Sequence, residues 1–307
     1  VRGPPAMHRF LTALLFLALA PILAGSALAS DGTLEINQAC AVQTGCLAGD
    51  APGLPVTITS PGSHQLTGNL DLPDVNTSGI VVTSPDVSLD LNGFGIRCPS
   101  CAGSGSGVGI DADATSDNLG VRNGSIVGVG SFGIRSMASH GRIEDMHIRG
   151  VGGTGIFQNG FDARVEDCTL VVIGDFGISV GQWSLITGNH LRTIGGVGIL
   201  SQDGRVADNL VANSGSDGIQ GFEAIVIGNR VSGSGGDGID CAGCNVQDND
   251  VSNSTGLGLA GSIFSNRPSA YGGNRFAGNN GGNANPQVWS GAIETSGNVC
   301  GTDTLCP

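Results

Sequence analysis

The sequence predicts an all-β solenoid, a single parallel β-helix of about ten coils with a cap at each end. Three observations carry the prediction. A glycine precedes isoleucine or leucine at Ile110, Ile134, Ile156, Ile178, Ile199, Ile219, Ile239 and Leu259, at spacings of 24, 22, 22, 21, 20, 20 and 20 residues. Asn189, Asn209, Asn229 and Asn249 follow ten or eleven residues behind their isoleucines and keep the same step. A repeat of this length has room for three short strands and three turns, whereas helical repeats need about 33 residues or more. Glycine at 54 positions opposes helix, and no coil carries a 3.6-residue apolar period.

In chain order, residues 1–29 read as a few upstream residues and a secretory leader. His8 and Arg9 precede an apolar run from Phe10 to Leu23, and Ala27-Leu28-Ala29 supplies small residues for cleavage. Residues 30–55 read as an N-terminal cap with a short helix near Leu34 to Ala41. Residues 56–276 read as the β-helix. It opens with the alternating segments Val56-Thr57-Ile58-Thr59 and His64-Gln65-Leu66-Thr67. The 30 residues from Ile80 to Ile110 include Cys98-Pro99-Ser100-Cys101 and a Gly/Ser run, which reads as a loop inserted into one coil. Residues 277–307 read as a C-terminal cap closed by a disulfide loop.

The regular coils align as Val206-Ala207-Asp208-Asn209, Val226-Ile227-Gly228-Asn229 and Val246-Gln247-Asp248-Asn249. Each is a strand and a turn at Asn. A side-chain amide there can satisfy the turn and bond the same amide one coil away, making a ladder. Cys168 occupies this column in Asp167-Cys168 and reads as a buried, unpaired thiol.

A leader places the mature chain outside the cytosol, secreted or periplasmic, where close cysteines pair. The expected disulfides are Cys40 with Cys46, Cys98 with Cys101, Cys241 with Cys244, and Cys300 with Cys306. A shared zinc site is excluded because the two C-x-x-C pairs lie about six coils, or roughly 30 Å, apart. The net charge of −13 disfavours nucleic acid and anionic membranes as partners. No segment after the leader is a membrane span. All 13 basic residues are arginine, so chemistry that needs lysine is excluded. The chain is expected to be a monomer.

Leu89-Asp90-Leu91-Asn92-Gly93, the Gly-Ile column and the Asn column together resemble right-handed parallel β-helix proteins of the pectin-lyase-like superfamily, particularly its exported bacterial members. The resemblance spans Val56 to Asn298. It implies a right-handed coil and contact with polysaccharide or a cell-envelope component. It also implies either lyase or glycoside hydrolase activity, or a non-catalytic structural or cell-surface binding role.

The residues offer three candidate sites. Asp217 and Asp237 sit two residues before the isoleucine in successive coils, about 5 Å apart, so crowding can separate acid from base roles. Asp before glycine is also ordinary turn chemistry. Gly235-Gly236-Asp237-Gly238-Ile239-Asp240 matches the calcium nonapeptide pattern once, making Asp237 and Asp240 candidate calcium ligands. Phe161, Trp183 and Phe264 each lie five residues after the Gly-Ile position; Phe161 and Trp183 either form a stacking platform for sugar rings or fill the core. Arg142, Arg164 and Arg205 each open a strand, and Arg164 and Arg205 are candidate substrate contacts. His64, His140, His147 and His190 lack ligand spacing and read as surface or turn residues.

Overall fold

The structure, a computed structural model, describes residues 1, 32–101, 103–261, 267–301 and 306. The leader at 7–29 and Phe264 lie outside the described residues. Ile80, Ile110, Ile134, Ile156, Ile178, Ile199, Ile219, Ile239 and Leu259 form one unbroken row, each paired in parallel with the next. Every one is fully buried. They belong to a ten-stranded sheet, one strand per coil, from Val56–Ile58 to Leu259–Ala260. The other 21 strands form a second sheet with two strands in most coils, as in Ile225–Ile227 and Arg230–Ser232. Together they wind as a right-handed parallel β-helix.

The glycine before each isoleucine is required by close approach. A Cβ on Gly133 would sit 2.8 Å from the Ile148 side chain and 2.5 Å from the carbonyl oxygen of Gly155; one on Gly109 would meet Ile126 at 2.7 Å. The Gly-Ile sheet thus lies hard against the apolar row Ile126, Ile148, Leu170, Leu191, Val211, Val231 and Val251 of the second sheet, all buried. Burying each such side chain contributes about 1.5–3 kcal/mol.

The Asn ladder forms at the corner between the two strand rows of the second sheet. Asn229 Nδ2 donates to Asn249 Oδ1 at 3.0 Å and to the carbonyls of Val206 and Ile227, while its Oδ1 accepts from the backbone and side chain of Asn209. The ladder begins at Asn189 and runs through Asn274 to Asn298. The residue before each rung has positive φ, as in Asp208 (56°), Gly228 (68°) and Asp248 (55°). Asp, Asn and Gly tolerate that conformation, which accounts for much of the aspartate in the chain.

Cys168 stands one rung before Asn189, and its amide donates to Asn189 Oδ1 at 2.9 Å. Its Sγ lies 3.2 Å from the Glu166 carbonyl and 3.8 Å from that of Ile143, the acceptors an amide would use there. Burial pushes the thiol up to about 12. A thiol so protonated is no nucleophile.

Both ends differ from the sequence reading in detail. Leu34–Ile36 is a strand, because its alternating residues find the open edge of Gly62–Leu66. The helix follows at Gln38–Gln43, started by Asn37, whose Oδ1 accepts from the amides of Ala39 and Cys40. At the other end, Ile293–Ser296 and Val299–Cys300 still stack on Ala270–Gly272 and Arg275–Ala277, so the coil runs into the segment assigned to the cap. Asn298 keeps the ladder in step there. The four disulfides pair Cys40–Cys46, Cys98–Cys101, Cys241–Cys244 and Cys300–Cys306. Among the described residues no helix is long and apolar enough to cross a membrane.

His64 departs from the surface reading. It is fully buried, because its position on Gly62–Leu66 points inward between Leu34 and Leu89.

Candidate functional site

The site lies on the outer face of the Gly-Ile sheet and the corner turn that follows it. Strands alternate faces, so the residue after each isoleucine points outward. That row reads Asp111, Arg135, Phe157, Ser179, Leu200, Gln220 and Asp240, in register coil by coil. Arg135 grips Asp111 with two hydrogen bonds of 2.7 and 2.6 Å, and its guanidinium carbon lies 5.5 Å from the centre of the Phe132 ring. Phe132 and Phe157 meet at 5.7 Å between centroids. The face therefore carries aromatics towards its N-terminal coils and acids towards its C-terminal ones. The aromatic part was missed in the sequence: of its two rings only Phe157 follows a Gly-Ile pair, while Phe132 stands two residues before Ile134.

At the acidic end, the Asp237 amide donates to Asp217 Oδ1 at 2.8 Å, and the Leu257 amide donates to Asp237 Oδ1 at 2.6 Å. Each carboxylate thus braces the turn of the following coil. Burial pushes the Asp237 carboxyl above the usual carboxylate range against the pull of the Leu257 amide, with Asp217 and Asp240 adding to the rise. Burial also raises Asp240, helped by Asp217 and opposed by a hydrogen bond with Gln220. Proton affinity is thus raised in two of the three carboxyls. Calcium takes six to eight oxygen ligands. Among the described residues no group of three or more His, Cys, Asp or Glu side chains could hold a metal ion.

The corner turn holds the aromatic pair. Phe161 and Trp183 are 46% and 60% exposed, so both rings point into solvent and neither fills the core. Their centroids are 5.4 Å apart at 34°. They do not share a column. The corner residue with positive φ is Asp162 (53°), then Trp183 (60°), then Asp203 (50°). The turn shortens by one residue per coil as the spacing falls from 22 to 21 to 20, so equal offsets from isoleucine are not equal positions. Trp183 consequently stands between Asp162 and Asp203, and Phe161 reaches it diagonally. The Asp203 carboxylate also accepts from Gln182 Nε2 at 3.1 Å.

Arg164 and Arg205 open strands on the far side of that turn. Leu185 separates them in register, so they stand two coils apart. Arg142, next to Arg164, is held by Glu144 at 2.7 Å and Glu166 at 3.1 Å. Arg164 follows Phe161 by three residues and opens the strand after that turn, and neither arginine lies on the face that carries Asp217 and Asp237.

No family model and no curated protein matches the sequence. Solved structures do. The A-module of a mannuronan C-5 epimerase from Azotobacter vinelandii is 13% identical with a TM-score of 0.45, over 87% of this chain and 82% of that one. The catalytic unit of a GH87 alpha-1,3-glucanase from Streptomyces thermodiastaticus is 14% identical with a TM-score of 0.44, over 90% and 70%. A tailspike protein of E. coli bacteriophage HK620, in complex with a pentasaccharide, is 9% identical with a TM-score of 0.45, over 78% and 55%. By its own strand register, this chain is a right-handed parallel β-helix protein.

Proposed function

We propose that this is an exported, monomeric β-helix protein that binds a polysaccharide along the Gly-Ile face and its corner turn. The observation that carries the reading is the exposed Phe161–Trp183 pair. Sugar rings present CH faces to indole and phenyl, and a tilted pair suits two successive residues of a glycan. Asp162 and Asp203, on either side of Trp183, supply acceptors for sugar hydroxyls. They also repel uronates, which favours a neutral glycan. Four disulfides support an oxidising compartment.

A second reading is glycoside hydrolysis at the acidic end of the same face. It is favoured by the raised proton affinity of Asp237 and Asp240, one serving as acid while a neighbouring carboxylate serves as base. A lyase would instead need Arg164 or Arg205 as its base.

The test incubates the purified protein with neutral and uronate-containing polysaccharides, with and without calcium. Binding, reducing ends and the ultraviolet absorbance of unsaturated products are followed. Saturable binding to a neutral glycan without product supports the binding role. Reducing ends that vanish in Asp237→Asn support hydrolysis. Absence of binding to any glycan overturns both.

A further inference from the structure

A groove lies elsewhere, where the second strand row of the second sheet turns back toward the Gly-Ile sheet. The loop inserted after Gly95–Arg97 folds over this turn, and a Cβ on Gly152 would meet it at Ser104, 2.8 Å away. Between loop and turn is a cavity of about 600 Å³, within the range of small-molecule pockets. Its walls are the Cys98–Cys101 disulfide and Pro99 on one side and Val127, Val172 and Thr193 on the other. Glycines at the turns, such as Gly150 and Gly174, leave the groove open.

Two features mark this groove out. The turn needs positive φ in every coil, and Gly128 (75°), Gly150 (66°), Asn213 (57°) and Gly233 (69°) meet that need cheaply. In two of the coils that line the groove the position is filled by Val172 (59°) and Thr193 (60°), β-branched residues that strain there. Val172 is 49% exposed, so the strain secures no core packing. The second feature is charge. Arg149 is the one charged residue among those lining the groove, and it has no carboxylate partner among the described residues. Two coils away in the same outward row, Arg97 is neutralised by Asp71.

We propose that this groove is a second ligand site, for a small organic carboxylate with an apolar body. The carboxylate pairs with Arg149, and the body lies on Val127, Val172 and the Cys98–Cys101 disulfide. An unpaired cation in an apolar groove, on a chain of net charge −13, selects an anion over a cation or a neutral lipid.

The probe is anilinonaphthalene sulfonate, an amphipathic fluorescent anion, displaced by octanoate, with octylammonium as the matched cation. Saturable fluorescence that octanoate displaces and octylammonium does not is the expected result. Arg149→Gln should weaken binding at least about tenfold, while Arg230→Gln, on another coil, leaves it unchanged. Val172→Gly and Thr193→Gly should keep or raise the thermal midpoint, because glycine relieves the strain, and still weaken binding. Dye bound at the Phe161–Trp183 ledge instead would ignore Arg149→Gln, and that result overturns the proposal. So does displacement by octylammonium equal to that by octanoate, or no saturable binding.

Discussion

The backbone amide of Asp237 donates to a carboxylate oxygen of Asp217, 2.8 Å away. Two aspartates that look like an acid–base pair in the sequence are therefore joined through the turn that one of them braces. An asparagine keeps the acceptor and removes the charge, so the two contributions separate.

Asp237 has a folded-state pKa above its unfolded value near 3.8, so the folded state holds the proton more tightly. Stability from this group is complete below 3.8 and is lost as pH rises through the folded value. Asp237→Asn should therefore raise the thermal midpoint over wild type at about pH 7 and match it at about pH 3. Asp237→Ala, which strands the Leu257 amide, should cost about 1–3 kcal/mol at both. Equal midpoints for wild type and Asp237→Asn across the range would refute the account.

Trp183 sits at φ 60°, a conformation that costs a bulky residue and suits glycine. Trp183→Gly should hold or raise stability in thermal unfolding while weakening glycan binding roughly tenfold, about 1.4 kcal/mol. A residue with a packing role would lose stability on truncation, so the opposite signs of the two effects identify a binding residue. Loss of stability with unchanged binding rejects the ledge.

The repeat was legible because its two markers answer separate constraints that act in every coil. Glycine is forced where the sheets touch, as at Gly133 against Ile148, and Asn where buried turn amides need partners. The ledge was only half legible. Phe161 and Trp183 stood out by type, but their diagonal meeting depends on a turn that shortens coil by coil, which an offset count does not register. Phe132 and Phe157 were hidden because outward positions obey no repeat-wide rule. The groove at Arg149 depends on where an inserted loop folds back, which no local pattern encodes.

The ladder makes unequal demands on its rungs. Asn229, itself buried, makes hydrogen bonds to both neighbouring asparagines and two carbonyls, so Asn229→Ala strands several groups at once and should cost more than about 3 kcal/mol. Cys168 already places its thiol on the acceptors an amide would use, and its sulfur accepts from the Met146 amide. Cys168→Asn should thus extend the ladder with a change within about 1 kcal/mol. Denaturant unfolding of the two variants checks the contrast. Native Cys168 should also resist thiol reagents until the chain is unfolded.

His64 should contribute to acid sensitivity of the fold. Its Nδ1 lies 3.2 Å from the Gly62 carbonyl, while the buried Nε2 has no partner among the described residues. Burial lowers its pKa from 6.5, partly offset by the Gly62 carbonyl. The unfolded chain therefore takes up a proton at higher pH than the folded one, and stability falls as pH drops through 6.5 toward the folded value. His64→Leu removes this proton uptake along with the unpaired nitrogen. Between about pH 7 and about pH 5 its thermal midpoint should fall less steeply than that of wild type. Parallel midpoint curves for the two proteins would show that the acid limb arises elsewhere, and that His64 takes up its proton equally in both states.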